Sequence, residues 1–355
     1  MRTIAMMLFL GLTQQSVYAG EVEYDGEGHA YTPVFSLDGK YLAFEVNRYA
    51  GDIDLYVTTL DGANAATVAK VALPGDAQLG WGTGQALVNP TWHPQGVLLY
   101  EGASSDGRFR LYSHQPGGGS HSSEMISLDE LPGDLTFPVV SADGDNMAFV
   151  SDQTGKGDIR VRDTMTATLG SVTKSAQSEM CPQFDRDGRK ILYSRKNEDQ
   201  ESAEDIYLIS ASGEGEVLVV GGTGDQTRPN FAGSRIVFFD GSRGDNIWDL
   251  ATVDRPGGTK KVLAQGVRLP LRARPAVSPN GQWVAFSFEE PAKQNKIVLV
   301  KVDGTKTIDV STPYKACGEP AFGLQGGKLF LAYTALPSAD ADWRLLHIED
   351  ISGKI

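Results

Sequence analysis

Seven prolines that recur at a nearly constant interval constrain the fold of this chain more than any other feature. The intervals between them are 57, 48, 44, 47, 46 and 45 residues. A core-type side chain such as Phe35 or Val277 follows each proline by two residues, and in six of the seven units a glycine follows it by six. Self-similarity at a period of about 20–50 residues is the signature of a repeat architecture. The prolines are Pro33, Pro90, Pro138, Pro182, Pro229, Pro275 and Pro320.

Within each unit the pattern is that of short β-strands joined by turns. The glycine is followed by an apolar triplet that ends in an aromatic residue, as in Leu42-Ala43-Phe44, and then by a third segment such as Asp54-Leu55-Tyr56. The 41 glycines of the 355-residue chain fit many turns better than long helices. Seven such meanders predict an all-β fold, a seven-bladed β-propeller formed by residues 20–355 as one domain.

The first and sixth units carry the most characteristic sequences, Ser36-Leu37-Asp38-Gly39-Lys40 and Ser278-Pro279-Asn280-Gly281-Gln282. They resemble the PD40 repeat of TolB-like β-propellers, and the resemblance covers nearly all of the chain after residue 19. It implies a role in the Tol–Pal system of the cell envelope, with a peptidoglycan-associated lipoprotein or a component of a trans-envelope machine as partner. TolB-like proteins place an α/β domain before six blades, whereas here seven units follow a short N-terminal segment.

The first 19 residues have the composition of a secretory signal peptide. Arg2 precedes an apolar stretch at 4–12, and Val17-Tyr18-Ala19 ends in the small residue expected at a cleavage site. The apolar stretch is shorter than the roughly 20 residues needed to span a bilayer. Residues 1–19 are therefore expected to be removed. The mature chain is predicted to be periplasmic or secreted, to lack a membrane span and to be a monomer by itself.

The two ends of the chain predict how the ring closes. The seventh unit stops at Ile355 after three strand segments, whereas earlier units continue through a turn such as Asp303-Gly304 into a fourth segment. The alternating segment 21–24 (EVEY) can supply the missing outer strand and remove a sheet edge that would favour aggregation. We therefore expect deletion of residues 20–28 to destabilise the whole ring.

The connections between the predicted strands fall on two faces of the ring. The turns between first and second strands, and between third and fourth strands, form what we call the turn face. Asp38 and its equivalents are interpreted there as turn formers. The connections between second and third strands, and between blades, form what we call the loop face. They vary in length and chemistry, and variable loops on a rigid scaffold commonly carry function.

A net charge of −13 at pH 7 excludes a general nucleic-acid binder, which needs a positive surface. Arginines nevertheless recur in the loop-face segments, and the guanidinium group suits carboxylate-bearing partners. Arg48 and Arg243 have an alternative role, in which Asp52 and Asp245 pair with them and fix their own loops. Trp81 is either an exposed interface anchor or packed against its blade. The candidate binding residues are Arg228 and Arg274, expected near the channel mouth, with Arg48, Arg243, Trp81 and Glu319.

Signals for catalysis, metals and cofactors are weak. The five histidines show no metal-ligand spacing, and no G-x-S-x-G nucleophile motif occurs. Cys181 and Cys317 open the fourth and seventh units, which face each other across the ring, so no disulfide is expected. The sequence therefore assigns no catalytic residue, no metal site and no cofactor.

These observations favour a protein-interaction scaffold of the cell envelope over an enzyme. The alternative is a carbohydrate-active propeller, either a glycan-binding protein, a glycosidase or a lyase. Enzymes of that kind use paired carboxylates, which a propeller can draw from several blades into its channel. The side chains that line the channel therefore distinguish the two hypotheses, and sequence spacing does not reveal them.

Overall fold

In the part of the chain that the structure describes, the regular secondary structure is all β apart from one short 3-10 turn at Pro291–Lys293. No helix in the described part of the chain is long and apolar enough to cross a membrane. Residues 1–18 of the predicted signal peptide and Trp81 lie outside the described residues, so those predictions remain open. The computed structural model describes residues 19–24, 28–49, 51–61, 64–73, 85–103, 107–117, 122–127, 130–197 and 203–355.

The strands form seven four-stranded antiparallel sheets, one for each blade. In the first three blades and the closing strand they are β1 (Ala19–Val22), β2 (His29–Phe35), β3 (Tyr41–Asn47), β4 (Ile53–Asp61), β5 (Asn64–Lys70), β6 (Leu87–Trp92), β7 (Leu98–Ala103), β8 (Phe109–His114), β9 (Ser122–Glu124), β10 (Leu135–Val140), β11 (Asn146–Ser151), β12 (Asp158–Asp163) and β13 (Leu169–Ser171). In the last four blades they are β14 (Glu179–Phe184), β15 (Lys190–Lys196), β16 (Glu204–Ser210), β17 (Val217–Val220), β18 (Gln226–Ala232), β19 (Arg235–Asp240), β20 (Trp248–Val253), β21 (Lys261–Val267), β22 (Ala276–Val277), β23 (Trp283–Phe286), β24 (Lys296–Lys301), β25 (Thr307–Ser311), β26 (Ala316–Gln325), β27 (Lys328–Leu336) and β28 (Leu345–Asp350).

The ring closes as the chain ends predicted. The last sheet has the order β1-β28-β27-β26, so an N-terminal strand is the outer strand of the seventh blade. Gly20 pairs with Ile348 and Val22 with Leu346. The Tyr24 hydroxyl lies 3.0 Å from the Arg344 carbonyl oxygen and ties the same segment to the last blade. Pairing of the two chain ends thus leaves the seventh sheet complete.

The turns of the repeat are built by their own side chains. Asp38 Oδ1 accepts hydrogen bonds from Ser36 Oγ at 2.6 Å and from Lys40 N at 3.0 Å, which confirms Asp38 as a turn former. Gly39 has φ 68°, and a Cβ at this position would lie 2.2 Å from the Leu324 carbonyl oxygen of the neighbouring blade. Both the positive φ and the close approach of the blades therefore require glycine there.

The hydrophobic core lies between neighbouring blades. Trp92 of the second blade stacks on Tyr41 of the first at 5.6 Å, and its Nε1 donates to the Val34 carbonyl oxygen at 2.9 Å. Leu98 and Tyr100 are fully buried in the same cluster. Each large apolar side chain buried in this way stabilises the fold by about 1.5–3 kcal/mol. The blades therefore depend on one another for their cores.

The two cysteines are free, as their positions predicted. Cys181 lies on β14 and Cys317 on β26, in blades separated by two others in the ring. Both side chains are buried.

Candidate functional site in the central channel

The innermost strands share an irregularity at the proline that defines the repeat. In six of the seven blades the residue before this proline has a φ between 48° and 54°. The strand register shifts at the same place, which leaves the extra residue without a partner in its own ladder. A buried N–H without an acceptor costs about 1–3 kcal/mol. The six residues are Thr32, Asn89, Phe137, Cys181, Arg228 and Glu319.

Carboxylates from neighbouring blades accept several of these N–H groups. Glu45 Oε1 accepts from Asn89 N at 2.9 Å, and Glu101 Oε1 accepts from Phe137 N at 2.5 Å. Glu101 also accepts from Asn89 Nδ2 at 2.6 Å. In the seventh blade Glu319 Oε2 accepts from Thr32 N at 2.6 Å, so this carboxylate bonds across the closure of the ring. The three acids therefore converge because the bulged strands need acceptors.

Glu45 and Glu101 were not identified from the sequence, although a signal for them exists. Each follows the aromatic residue of the apolar triplet, Phe44 in the first blade and Tyr100 in the second. In the other five blades this repeat position holds Val150, Ser194, Phe239, Ser287 and Thr334. Two acids at one repeat position where other blades have apolar or hydroxyl side chains therefore indicate a local function of the channel.

Burial changes the ionisation of these acids. Desolvation raises the pKa of Glu45 to about 7, against the opposing effect of Arg272. Desolvation also raises the pKa of Glu101 to about 8, although the Phe137 N–H and the Asn89 amide favour its ionised form. Burial therefore favours the protonated form of both acids relative to an exposed glutamate, and the effect is larger for Glu101.

The sixth blade departs from the pattern of the other six. Its inner strand β22 has two residues, and the preceding Arg274 lacks the positive φ of its equivalents. The bridge Val267↔Phe288 corresponds to the pair Ala30↔Val46 of the first blade. In the first blade the repeat proline follows Ala30 by three positions, whereas in the sixth blade it follows Val267 by eight. The sixth blade therefore has five extra residues before its proline. We call residues 268–274 the channel segment.

The channel segment crosses the ring and is bound by several blades. Arg272 Nη1 donates to Glu45 Oε2 of the first blade at 2.7 Å. Leu271 N donates to Glu319 Oε1 of the seventh blade at 2.8 Å. Arg228 of the fifth blade donates to the Pro270 carbonyl oxygen and, at 3.1 Å, to that of Leu271. The predicted site residues Arg228 and Glu319 are therefore brought together by this segment.

A cavity of about 280 Å³ lies in the channel beside the segment. Its walls come from bulge residues and the strand residues that follow them, such as Thr32–Phe35, and from residues 272–274 of the channel segment, so the cavity extends from the bulges toward the turn face. Arg274 lines it, and its Nη2 donates to the Pro182 carbonyl oxygen of the fourth blade at 2.6 Å. Glu45 and Glu101 do not line this cavity.

The loop-face arginines Arg48 and Arg243 are bound to acids of the next strand. Arg48 is buried, and its Nε donates to Asp54 Oδ2 at 2.8 Å. Arg243 is 41% exposed and donates to Asp249 Oδ1 at 2.5 Å. These bonds join each arginine to an acid of the following strand, Asp54 or Asp249, whereas the alternative role named Asp52 and Asp245 as the partners.

Two large aromatic side chains are exposed on the loop face where the first and last blades meet. Tyr49, in the connection between β3 and β4, is 56% exposed, and Trp343, in the connection between β27 and β28, is 49% exposed. The Tyr49 hydroxyl donates to the Asp342 carbonyl oxygen, so the two connections are joined. His29 packs edge-on against Tyr49 at 5.5 Å. Sequence reasoning missed this pair because loop exposure depends on the arrangement of the blades.

The family of the chain follows from its repeats and their geometry. The family model described as PD40, TolB beta propeller domain, matches residues 13–233 and 121–326. The chain belongs to the PD40 family. A search of curated proteins found no significant match to this sequence.

Solved structures similar to this PD40 propeller include a TolB protein and enzymes. TolB from Acinetobacter baumannii has a TM-score of 0.57 and 20% identity over 81% of this chain and 67% of that one. Oligogalacturonate lyase from Vibrio parahaemolyticus has a TM-score of 0.61 and 10% identity, and the match covers 96% of this chain and 92% of the lyase. A puromycin-hydrolysing peptidase from Mycobacterium tuberculosis has a TM-score of 0.56 and 14% identity, and the match covers 87% of this chain and 49% of the peptidase. At these identities the likeness shows the fold alone.

The buried acids of the PD40 channel are engaged with backbone N–H groups and Arg272, whereas the cavity is lined by Arg272 and Arg274. In the part of the chain that the structure describes, no group of three or more His, Cys, Asp or Glu side chains could hold a metal ion.

Proposed function

We propose that this PD40 protein is an exported, non-catalytic propeller that captures a partner protein of the cell envelope on its loop face. The observation that carries the proposal is the exposed pair Tyr49 and Trp343 at the seam of the ring. Tyr and Trp are the side chains most enriched in protein interfaces, where they supply large rigid contact areas. The predicted signal peptide supports a periplasmic or secreted location. The TolB-like resemblance supports a peptidoglycan-associated lipoprotein or a trans-envelope machine component as partner.

Tyr49 of this pair is already ordered, which lowers the cost of binding. Tyr49 is held through its hydroxyl by Asp342 and through its ring by His29. The preceding residue, Arg48, is fixed by Asp54 and lies 5.6 Å from the ring of Tyr56. Ordering a free side chain at an interface costs about 0.5–1.5 kcal/mol, so anchors fixed in advance bind more tightly.

The carbohydrate-active alternative draws less support from the channel. A glycosidase or lyase must present carboxyl groups to its substrate. Glu45 and Glu101 have raised pKa values but point to backbone N–H groups and do not line the cavity. Their convergence is accounted for by the bulged strands, and we therefore favour the binding function.

Site-specific cross-linking tests the proposal. A photoreactive amino acid at position 343 should cross-link one discrete envelope protein in cells that export this chain, and Trp343→Ala should weaken the affinity for that protein about tenfold or more. The matched control is position 165, where Met165 is 85% exposed in the β12–β13 turn on the turn face. Equal cross-linking at both positions, or unchanged affinity of Trp343→Ala, would contradict the proposal.

A further inference from the structure

Arg274 differs from the other channel arginines in its surroundings. Arg272 has Glu45 as a counter-ion, and Arg228 donates to two carbonyl oxygens of the channel segment. Arg274 donates to one carbonyl oxygen, that of Pro182, and its Nε is buried without a hydrogen-bond partner. Among the residues that the structure describes, no carboxylate forms an ion pair with Arg274. This guanidinium is therefore a largely buried cation without a counter-ion.

A buried guanidinium without a counter-ion is unfavourable unless a ligand supplies the negative charge. An ionised group removed from water is expensive, and natural proteins pair it or bind a ligand to it. Burial lowers the pKa of the Arg274 guanidinium, the neighbouring Cys181 opposes this shift, and Arg228 adds to it. Arg274 also borders an open volume of about 280 Å³, so an anion has room to reach it. This volume is close to the lower end, about 300 Å³, of pockets that bind small molecules.

We propose that the cavity on the turn-face side of the channel is a binding site for a carboxylate monoanion held by Arg274. One unpaired cation calls for one negative charge, and the guanidinium fork matches a carboxylate in geometry. The remaining walls combine Arg272, whose charge is paired with Glu45, with the amides of Asn89, Gln183 and Asn230 and the rings of Phe35 and Phe322. They suit a ligand that has apolar surface and hydrogen-bonding groups beside its carboxylate.

This site is separate from the proposed partner surface. The cavity lies in the channel, where it is lined by bulge residues, by the strand residues that follow them and by residues 272–274 of the channel segment. The exposed pair Tyr49 and Trp343 is on the loop face. Either site can therefore exist without the other, and their tests are independent.

Cys181 provides a chemical probe in the unmodified protein, because its side chain also lines the cavity. In alkylation by iodoacetate, the Cys181 thiolate forms a C–S bond to the methylene carbon and iodide leaves, which produces carboxymethylcysteine. Burial raises the pKa of Cys181, so the reaction is run at alkaline pH. Iodoacetate should modify Cys181 about tenfold or more faster than neutral iodoacetamide, after each rate is divided by that of free cysteine. Cys317, which does not line the cavity, is the internal control.

Binding is measured directly by calorimetry with pairs of probes. N-acetylglycine, propionate and glucuronate should bind, whereas N-acetylglycinamide, propionamide and glucose should not. The acid that binds most tightly identifies the source of the carboxylate. N-acetylglycine represents a chain terminus, propionate an acidic side chain or short organic acid, and glucuronate a sugar acid. Arg274→Gln should lower the affinity of the best acid about 10- to 100-fold. Arg255→Gln removes the same charge from an arginine whose side chain is 74% exposed, and it should leave the affinity for that acid unchanged.

Several results would overturn the proposal. They are equal binding of acids and their neutral counterparts, full competition of the acids by chloride at equal concentration, and no preference of Cys181 for iodoacetate. Arg274→Gln should fold, since it removes a buried charge without a counter-ion, and its thermal melt should be at or above that of the parent chain. If it does not fold, the wild-type probe pairs and the Cys181 rate ratio still decide the question.

Discussion

Thr32 and its equivalents in five other blades combine two unfavourable features. A left-handed φ is uncommon for residues other than glycine, and a following proline restricts the backbone further. Such conformations cost about 1–3 kcal/mol each and persist where surrounding contacts fix them. Here the N–H of Thr32 is held by Glu319 and that of Asn89 by Glu45. The acids of the channel thus stabilise the bulges that give the inner strands their shape.

Glu101 makes the stability of the ring depend on pH. Its pKa is raised by burial to about 8, whereas an unfolded glutamate titrates near 4.5. Between these values the folded chain retains a proton that the unfolded chain has released, so the free energy of unfolding falls as pH rises, by up to about 1.4 kcal/mol per pH unit for one proton. Glu101→Gln, which mimics the protonated acid, should reduce this slope and make the variant more stable than the parent at pH 9.

Urea unfolding from pH 4 to pH 9 measures this effect. Glu45 has a pKa of about 7, so the free energy of unfolding of Glu101→Gln should still fall with rising pH below about pH 7. Glu124→Gln, at a side chain 40% exposed, is a control that should preserve the slope of the parent chain. Parallel curves for Glu101→Gln and the parent would show that the Glu101 carboxyl titrates normally.

At the scale of the elements, the channel segment is the largest departure from the repeat. Five extra residues shorten β22 to Ala276–Val277 and take the chain across the ring. Long-range bonds to Glu45 and Glu319 replace the ladder bonds that a full inner strand would make. Because β22 contributes so little pairing, the sixth blade depends on these bonds to hold its entry.

Glu319 is the residue whose loss should affect this element most. It accepts from Thr32 N and Leu271 N, which belong to the first and sixth blades. Glu319→Ala leaves both N–H groups without an acceptor and should lower the free energy of unfolding by about 2–5 kcal/mol. Glu319→Gln retains one acceptor oxygen and should lose less. Thermal or urea melts measure both variants beside exposed Glu289→Ala, and equal stability of all three would contradict the role given to Glu319.

For the whole molecule, stability depends on closing the ring. The outer strand of the seventh blade, β1, comes from the other end of the chain and buries Val22. Open propellers expose a sheet edge and the core between two blades. The two ends of the chain therefore act together as a clasp for all seven blades.

Deletion of residues 20–28 should lower the melting temperature of the complete ring and increase aggregation, because β28 then becomes an exposed edge strand. Differential scanning calorimetry and light scattering measure the two effects. Glu23→Ala, at an exposed position after the strand, should melt as the parent chain does. A deletion variant with the melting temperature of the parent would show that closure contributes nothing to stability.

Much of this architecture was predictable because it is encoded locally. Pro33 and its equivalents, the Asp38 turn and the EVEY segment identify the blade number, the strand order and the closing strand through short-range backbone preferences. The free cysteines followed from the same blade count. Site residues were predicted less completely. Arg274 and Glu319 were selected, but their partners were not.

Those partners lie far apart in the chain and meet only in the folded ring. Arg272 and Glu45 are 227 residues apart, and Arg274 reaches Pro182 across 92. A repeat pattern describes the backbone within a blade, while contacts across the channel depend on the summed rotation of seven blades and on the five-residue insertion. Sequence was therefore sufficient for a closed propeller of seven blades. The buried acids, the unpaired arginine and the cavity beside it depend on the tertiary structure, because only closure of the ring brings side chains from all the blades into the central channel.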